Sequence, residues 1–456
     1  MIDKQSPQIL STAPIAKLLL QYSIPAIIAM TVSSLYHIID SIFIGQGVGA
    51  WAIAGLAVTF PLMNLVIAFC NLVGIGGATI SSIFLGQHDE VRATETLHNV
   101  VWLCLICSIC FGGFSLLFLD KILLFFGAST DTLPYAREFM QVMLIGTPVA
   151  YVFLGLNNVM RSTGYPTKAM LSSIISVIAN VILAPIFIFV LDWGIRGAAI
   201  ATLLSQMTGL IWVLIHFFNK NSFVHFDSGY NKLKLSIVGR IFSIGLSPFL
   251  MNACSCLVVI IINRSFIEYG GDLAVGAYGI TNRVLMLFAM VAMGITQGMQ
   301  PIIGYNYGAR QNNRVHRTLV YGIVAATIVT SLGFVMAQLV PMPVVRLFTT
   351  DATLIDMASN GLRISCMAFC LIGGQIVISN FFQSIGKAKV SIFLSLSRQL
   401  IFLIPSLLIL PGIYGINGVW ASLPLSDTIA FFVAITALWI YLRREKKQQK
   451  SHTEVI

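Results

Sequence analysis

Three residues in one apolar stretch, SSLYHIIDSIFIGQGVG (33–49), carry groups that can do chemistry: Tyr36, His37 and Asp40. On a helix, spacings of three and four put His37 and Tyr36 on the face of Asp40. A carboxylate inside a membrane helix costs roughly 2.5–3.5 kcal/mol on insertion scales, so it marks a functional site by default. A bound proton removes that cost, and one proton moving inward through 100 mV releases about 2.3 kcal/mol. Plainer readings also exist: Asp40 capping a frayed outer helix end in water near Gly45, and His37 as a hydrogen-bonded packing residue.

The elements that must position these residues are membrane helices. Of the 456 residues, 57% are hydrophobic and only 10% charged, with a mean hydropathy of +0.88, far from soluble composition. Apolar runs long enough to cross a hydrocarbon core fall near 15–44, 51–83, 94–118, 134–159, 168–191, 194–218, 236–267, 273–304, 315–340, 355–382, 389–410 and 416–442. The spacing predicts an all-α polytopic membrane protein of about twelve transmembrane helices, with no soluble domain between the spans. The N-terminus MIDKQSPQILSTAP is polar and offers no cleavage site, so no cleaved signal peptide is expected.

The formal charge of +10 is distributed in alternate loops. Arg92, Arg161 with Lys168, Lys220 with Lys232 and Lys234, Arg310 with Arg314 and Arg317, Lys387 with Lys389, and the terminal RREKKQQK lie on one side. The loops 45–50, 119–133, 192–196, 268–272, 341–354 and 411–415 hold only Lys121, Arg196 and Arg346. This positive-inside pattern predicts that both termini are cytoplasmic, and it argues against nucleic acid as a partner. All eight cysteines lie in apolar segments, and Cys104, Cys107 and Cys110 have no nearby histidine or acid to complete a metal site. They read as small buried hydrophobes.

The chain also repeats itself. A shift of about 222 residues lays MRSTGYPTK (160–168) over FQSIGKAK (382–389), and GQHDEVRATE (86–95) over GARQNNRVHR (308–317). GIRGAAIATLLSQ (194–206) falls over GINGVWASLPLSD (415–427), and SIPAI (23–27) near LSPFL (246–250). Two halves of six spans enter the membrane in the same orientation, so a pseudo-two-fold along the membrane normal is expected, with a cavity between the halves. The expected organisation is an N-lobe over 1–218, a cytoplasmic linker over 219–235, a C-lobe over 236–442 and a basic tail over 443–456.

LYHIIDSIFIGQGVG, VGIGGATISSIFLGQ (73–87), GITQGMQPIIGYNYGAR (294–310) and SRQLIFLIP (397–405) resemble the multidrug and toxic compound extrusion (MATE) family, nearest its bacterial branch of MepA-like and DinF-like exporters. The likeness covers nearly the whole chain. It implies two six-helix lobes and export of organic cations in exchange for protons or sodium ions, with no enzyme activity and no cofactor. It further implies a monomer in the bacterial cytoplasmic membrane conferring antibiotic resistance.

Residue by residue, Asp40 matches the family's first-helix coupling acid, and Asn180 and Thr202 match its polar partners. Two departures stand out. Many members read Asn-x-x-x-Asp-Pro, whereas this chain reads Asn180-Val-Ile-Leu-Ala184-Pro185. A second carboxylate is missing, which disfavours sodium. Where many relatives have Tyr-Asn, this one has Tyr36-His37, adding a group that itself binds a proton. Under the repeat Asp40 maps to Asn263, Asn180 to Ile401 or Phe402, and Thr202 to Leu423. The coupling site is therefore expected in the N-lobe alone: Asp40, His37, Asn180 and Thr202. Tyr36, Asn64, Asn157, Met63 and Met286 are candidate substrate contacts. The Met and Phe content suits a pocket for flat lipophilic cations, although most of these side chains must face lipid or helices. Arg398 and Asp427 in the last two spans read as a structural ion pair, or else as a second proton pathway. Pro25, Pro185, Pro248 and Pro405 read as hinges or as tolerated kinks. A lipid-linked oligosaccharide flippase of the same superfamily is the alternative, but it calls for an arginine-lined cavity. A membrane-embedded enzyme calls for clustered His, Asp or Cys, and the seven histidines are scattered.

Overall fold

In a bilayer every backbone N–H and C=O must be satisfied within the chain, so apolar runs of this length coil into helices. The computed structural model describes residues 9–230 and 232–453, apart from the side chains of His37, Ala50, Ser228, Asp272, Lys446 and 448–453. Among the described residues there is no strand.

The first repeat runs α1 (Ile9–Thr12), α2 (Ile15–Gly47), α3 (Ala50–Gly86), α4 (Glu90–Leu117), α5 (Leu119–Phe125), α6 (Leu133–Ile145), α7 (Thr147–Ser162), α8 (Pro166–Pro185) and α9 (Gly194–Phe218). The second begins with α10 (Leu235–Gly308), which breaks at Gly271 (φ +69°) into arms α10a (Leu235–Gly271) and α10b (Leu273–Gly308). It continues through α11 (Asn312–Leu339), α12 (Pro341–Arg346), α13 (Ala352–Ser365), α14 (Phe369–Ser384), α15 (Ala388–Leu396), α16 (Ile404–Tyr414) and α17 (Ile416–Thr453). Among the described residues ten helices are long and apolar enough to cross a membrane, and two bent pairs bring the number to twelve.

Three features differ from the sequence expectation. Spans four and ten are not single helices: α6 and α7 meet at 56°, and α13 and α14 at 53°. Pro148 stands at the second position of α7, where it starts a helix without costing a hydrogen bond. The loop expected over 268–272 shrinks to the single left-handed residue Gly271, a conformation that glycine adopts without strain. The basic tail does not separate at 443, because α17 carries it helically to Thr453.

The repeat is visible in the backbone. α4 and α11 start and end 222 residues apart, as do the starts of α5 and α12 and the ends of α7 and α14. Left-handed residues recur at the same interval: Gly49 with Gly271, His88 with Arg310, Gly164 with Gly386.

The chain packs as two compact units. The first comprises residues up to Ala253 with Gln297–Val315 and Ser384–Gly386; the second comprises Cys254–Thr296, His316–Gln383 and the residues from Lys387 on. In the first unit α3 packs on α4 and α7, and α8 packs on α2 and α9. In the second, the fully buried ring of Phe266 lies 5.0 Å from Tyr278 and 4.4 Å from Trp420, centroid to centroid. Leu362 and Val419 pack into the same core.

Candidate functional site

Asp40 lies toward the end of α2 and is only 6% exposed, so it does not cap a frayed end in water. Its Oδ1 is buried and has no hydrogen-bond partner among the described residues. One turn earlier, the Tyr36 hydroxyl reaches Thr202 Oγ1 on α9 at 2.9 Å. Thr202 donates its own proton to the Ala198 carbonyl at 3.0 Å and also accepts from Asn180 Nδ2 at 3.3 Å. A hydroxyl has one proton and two lone pairs, so Thr202 is saturated when Tyr36 acts as the donor. Asn180 Oδ1, like Asp40 Oδ1, is a buried acceptor without a partner among the described residues. Each such group costs about 1–3 kcal/mol, more for a charged one. The arrangement thus holds two unsatisfied acceptors on α2 and α8, two helices that pack together. A proton, a small cation or a water molecule can each relieve such acceptors.

The backbone near the site is irregular for a local reason. Pro185 ends α8 and is followed by a π-helical turn, Ile186–Val190. The end of α2 packs on this turn: a Cβ on Gly47 would lie 2.3 Å from Ile188, and the rings of Phe43 and Phe189 meet edge-on at 6.3 Å. Single π turns inside helices often occur at functional sites. Ala184, where a second carboxylate was expected from the family, is fully buried beside it.

Tyr36, Asn180 and Thr202 therefore come together on the helix that carries Asp40 and on the two helices packed against it. The side chain of His37 lies outside the described residues. Met63 and Asn64 on α3 are half-buried. Asn157 on α7 is committed elsewhere, because its amide donates to the Ala169 carbonyl at 2.8 Å and to Ser172 Oγ at 2.7 Å on α8. That makes it a strut between spans. Met286, in the second unit, is 52% exposed. Also in the second unit, Arg398 Nε donates to the buried Asp427 Oδ1 at 2.7 Å, from a second π-helical turn, Ser397–Leu403.

The 222-residue register corrects one detail of the repeat. It sets Asp40 opposite Ile262 rather than Asn263, because Gly49 and Gly271 pin the following turns. The sequence reading also places Arg161 among loop cations. The structure turns it inward from the end of α7, where it donates to Gln297 Oε1 and Asn158 Oδ1. Gln297, a polar residue inside an apolar run, is the signal that could have found it. Among the described residues no three His, Cys, Asp or Glu side chains gather as a metal site.

The MatE family profile matches residues 25–186 and 244–408. The multidrug export protein MepA of Staphylococcus haemolyticus is 27% identical over 441 residues, 97% of each chain. MepA of Staphylococcus aureus is 26% identical over 95% of each. Among solved structures, the MATE multidrug transporter DinF-BH, solved as a ligand complex, superposes with a TM-score of 0.87 at 36% identity, covering 96% of this chain and 98% of that one. A MATE family transporter of the MOP superfamily in an outward-facing conformation gives 0.90 at 25% identity, with 98% and 100% covered. With the family profile matching most of its length, this chain belongs to the MatE family of membrane transporters and is not an enzyme.

Proposed function

We propose that the protein is a multidrug efflux antiporter. It exports lipophilic organic cations by alternating access, in exchange for inward protons rather than sodium ions. The observation that carries this reading is the buried Asp40 carboxylate, with one oxygen lacking a partner among the described residues, beside the Tyr36–Thr202–Asn180 network. A carboxylate so placed gains from any cation that reaches it, so a proton and an organic cation compete for it. Relatives described as multidrug export proteins, and a structural neighbour described as a multidrug transporter, support the substrate class. Tyr36, Met63, Asn64 and Met286 are the proposed substrate contacts, with Asn157 acting as a strut. The alternate basic loops support a bacterial cytoplasmic membrane protein with both termini inside. The lobes over 1–218 and 236–442 are proposed to rock about the linker 219–235, as a monomer without cofactor.

The test is transport of ethidium, a flat lipophilic cation, in everted vesicles energised by a proton gradient. Uptake that collapses with a protonophore is expected. Uptake that persists without the proton gradient overturns proton coupling. Absence of uptake of ethidium and of every other member of a lipophilic-cation panel overturns the substrate class.

A further inference from the structure

A cavity of ≈ 420 Å³ lies in the first unit between the end of α3, the start of α4 and the start of α10a. Three cationic side chains line it: Arg92, Lys234 and Arg240. Lys234 is neutralised by Glu95, the one carboxylate on the wall, and its backbone N–H is tied to Asn99 Oδ1 at 2.9 Å. The two arginines converge on one aromatic ring. Arg92 Cζ stands 5.8 Å and Arg240 Cζ 5.6 Å from the centroid of Phe84. A cation over a ring face is favourable, but two like charges drawn to one ring repel each other. Arg92 keeps Asp89 at 3.3 Å, whereas Arg240 has no carboxylate within ion-pair distance among the described residues.

The repeat supplies an internal control. Arg314 is the counterpart of Arg92 and Asn306 that of Phe84, each 222 residues on. There the guanidinium is filled with oxygen: it donates to Asn306 Oδ1 at 3.0 Å, to the Leu10 carbonyl at 3.0 Å and to the Ala13 carbonyl at 2.6 Å. The short helix α1 thus plugs the second copy of the site. In the first copy no backbone carbonyl takes that place among the described residues, and a cavity with an extra arginine stands there instead.

We propose that this cavity binds a phosphate group, with Arg92 and Arg240 donating to its oxygens and Lys234 adding charge. Paired N–H donors of a guanidinium match phosphate geometry. A basic pocket between helix ends at the cytoplasmic surface is where anionic lipid headgroups bind, and placing it at that surface rests on the orientation proposed above. A phosphate held there joins α4 to the start of α10a, and so fastens the linker between the repeats to the first repeat.

The experiment reads binding in purified full-length protein, independently of transport or orientation. Native mass spectrometry and thermal unfolding are followed with phosphatidylglycerol, with phosphatidylcholine and with inorganic phosphate. A saturable, stabilising phosphatidylglycerol adduct is expected, weakened roughly fivefold for each of Arg92→Gln and Arg240→Gln, the increment for one basic side chain at an anionic surface. Competition by inorganic phosphate at low concentration assigns the site to a soluble phosphate; selectivity for phosphatidylglycerol that resists it assigns a lipid. Arg240→Gln has no ion pair to break among the described residues and serves where Arg92→Gln expresses poorly. Unchanged binding of both probes in these variants, or equal binding of phosphatidylcholine, overturns the proposal.

Discussion

Gly86 and Gly308 occupy equivalent positions, and each meets a backbone carbonyl of the other repeat. A Cβ on Gly86 would lie 1.9 Å from the Tyr305 oxygen, and one on Gly308 2.1 Å from the Ile83 oxygen. Ile83 and Tyr305 are themselves separated by the repeat interval, so the contact is reciprocal. Gly76 against Ile241 and Gly245 against Leu72 make the same kind of backbone contact, at 2.2 and 1.7 Å. Even a methyl group cannot enter without moving backbone. Gly86→Ala and Gly308→Ala are each expected to destabilise by about 1–3 kcal/mol, the usual cost of overpacking. The double variant should cost less than the sum, since both relieve one seam. Thermal unfolding in detergent reads this, and wild-type stability in Gly86→Ala would refute it.

Asp40→Asn keeps the volume of the side chain and removes its charge. Because Asp40 Oδ1 bonds to nothing among the described residues, its loss should not disturb the fold. The variant is expected to express and unfold like wild type while proton-driven ethidium uptake falls to background. Tyr36→Phe is milder: it deletes the donor to Thr202, costs about 1 kcal/mol and should slow transport without abolishing it. Drug resistance at the wild-type level from well-expressed Asp40→Asn would remove the acid from the mechanism.

The helices were legible because apolar length is a direct consequence of bilayer thickness. The repeat was legible because matched segments keep nearly one offset, as the turns at Gly164 and Gly386 do. The Gly49 and Gly271 pair that fixes its register emerged only in the backbone. The bends were only half legible. Gly146-Thr147-Pro148 signals a new helix, but Cys366-Met367-Ala368 carries no such residue. On either side of that second bend, Gly361 lies against the ring of Trp420 and Gly373 against the Ala326 carbonyl, contacts set by tertiary packing. Asp40 stood out as an acid in an apolar helix, whereas Asn180 and Thr202 were marked by the family resemblance. The Tyr36–Thr202 bond joins residues 166 apart, and no local pattern carries that. Asn157 shows the opposite failure: a buried amide looks the same in sequence whether it binds a substrate or ties two helices.

Arg398 and Asp427 differ in burial, and that difference makes their replacements unequal. The Asp427 side chain is 7% exposed and that of Arg398 33%. Arg398→Ala strands a buried carboxylate and should cost about 3 kcal/mol. Asp427→Ala leaves a guanidinium with a partly open position, and should cost about 1 kcal/mol. The double replacement should recover part of the larger loss. Expression level and thermal unfolding of the three variants check the order; equal losses in the two single variants would show that the pair does not act as drawn.

The coupling ion turns on how many oxygens are free. Sodium has to be dehydrated, so it needs several oxygens converging with enough negative charge among them. Asp40 Oδ1 and Asn180 Oδ1 are free acceptors among the described residues. Thr202 is not, because it already accepts from Tyr36 and Asn180 while donating to Ala198. The position one turn beyond Asn180 is Ala184, a buried methyl group. A proton asks for less: a single basic atom on Asp40, whose O–H can then donate to an acceptor. The expected result is that an imposed sodium gradient, with the proton gradient collapsed, drives little or no ethidium uptake in wild type. Ala184→Asp adds a second carboxylate on the face of Asn180 and should make uptake sodium-responsive, even if slower overall. Robust sodium-driven uptake in the wild type would mean that water or a backbone carbonyl of the π-helical turn supplies the missing ligands, and the assignment to protons would fall.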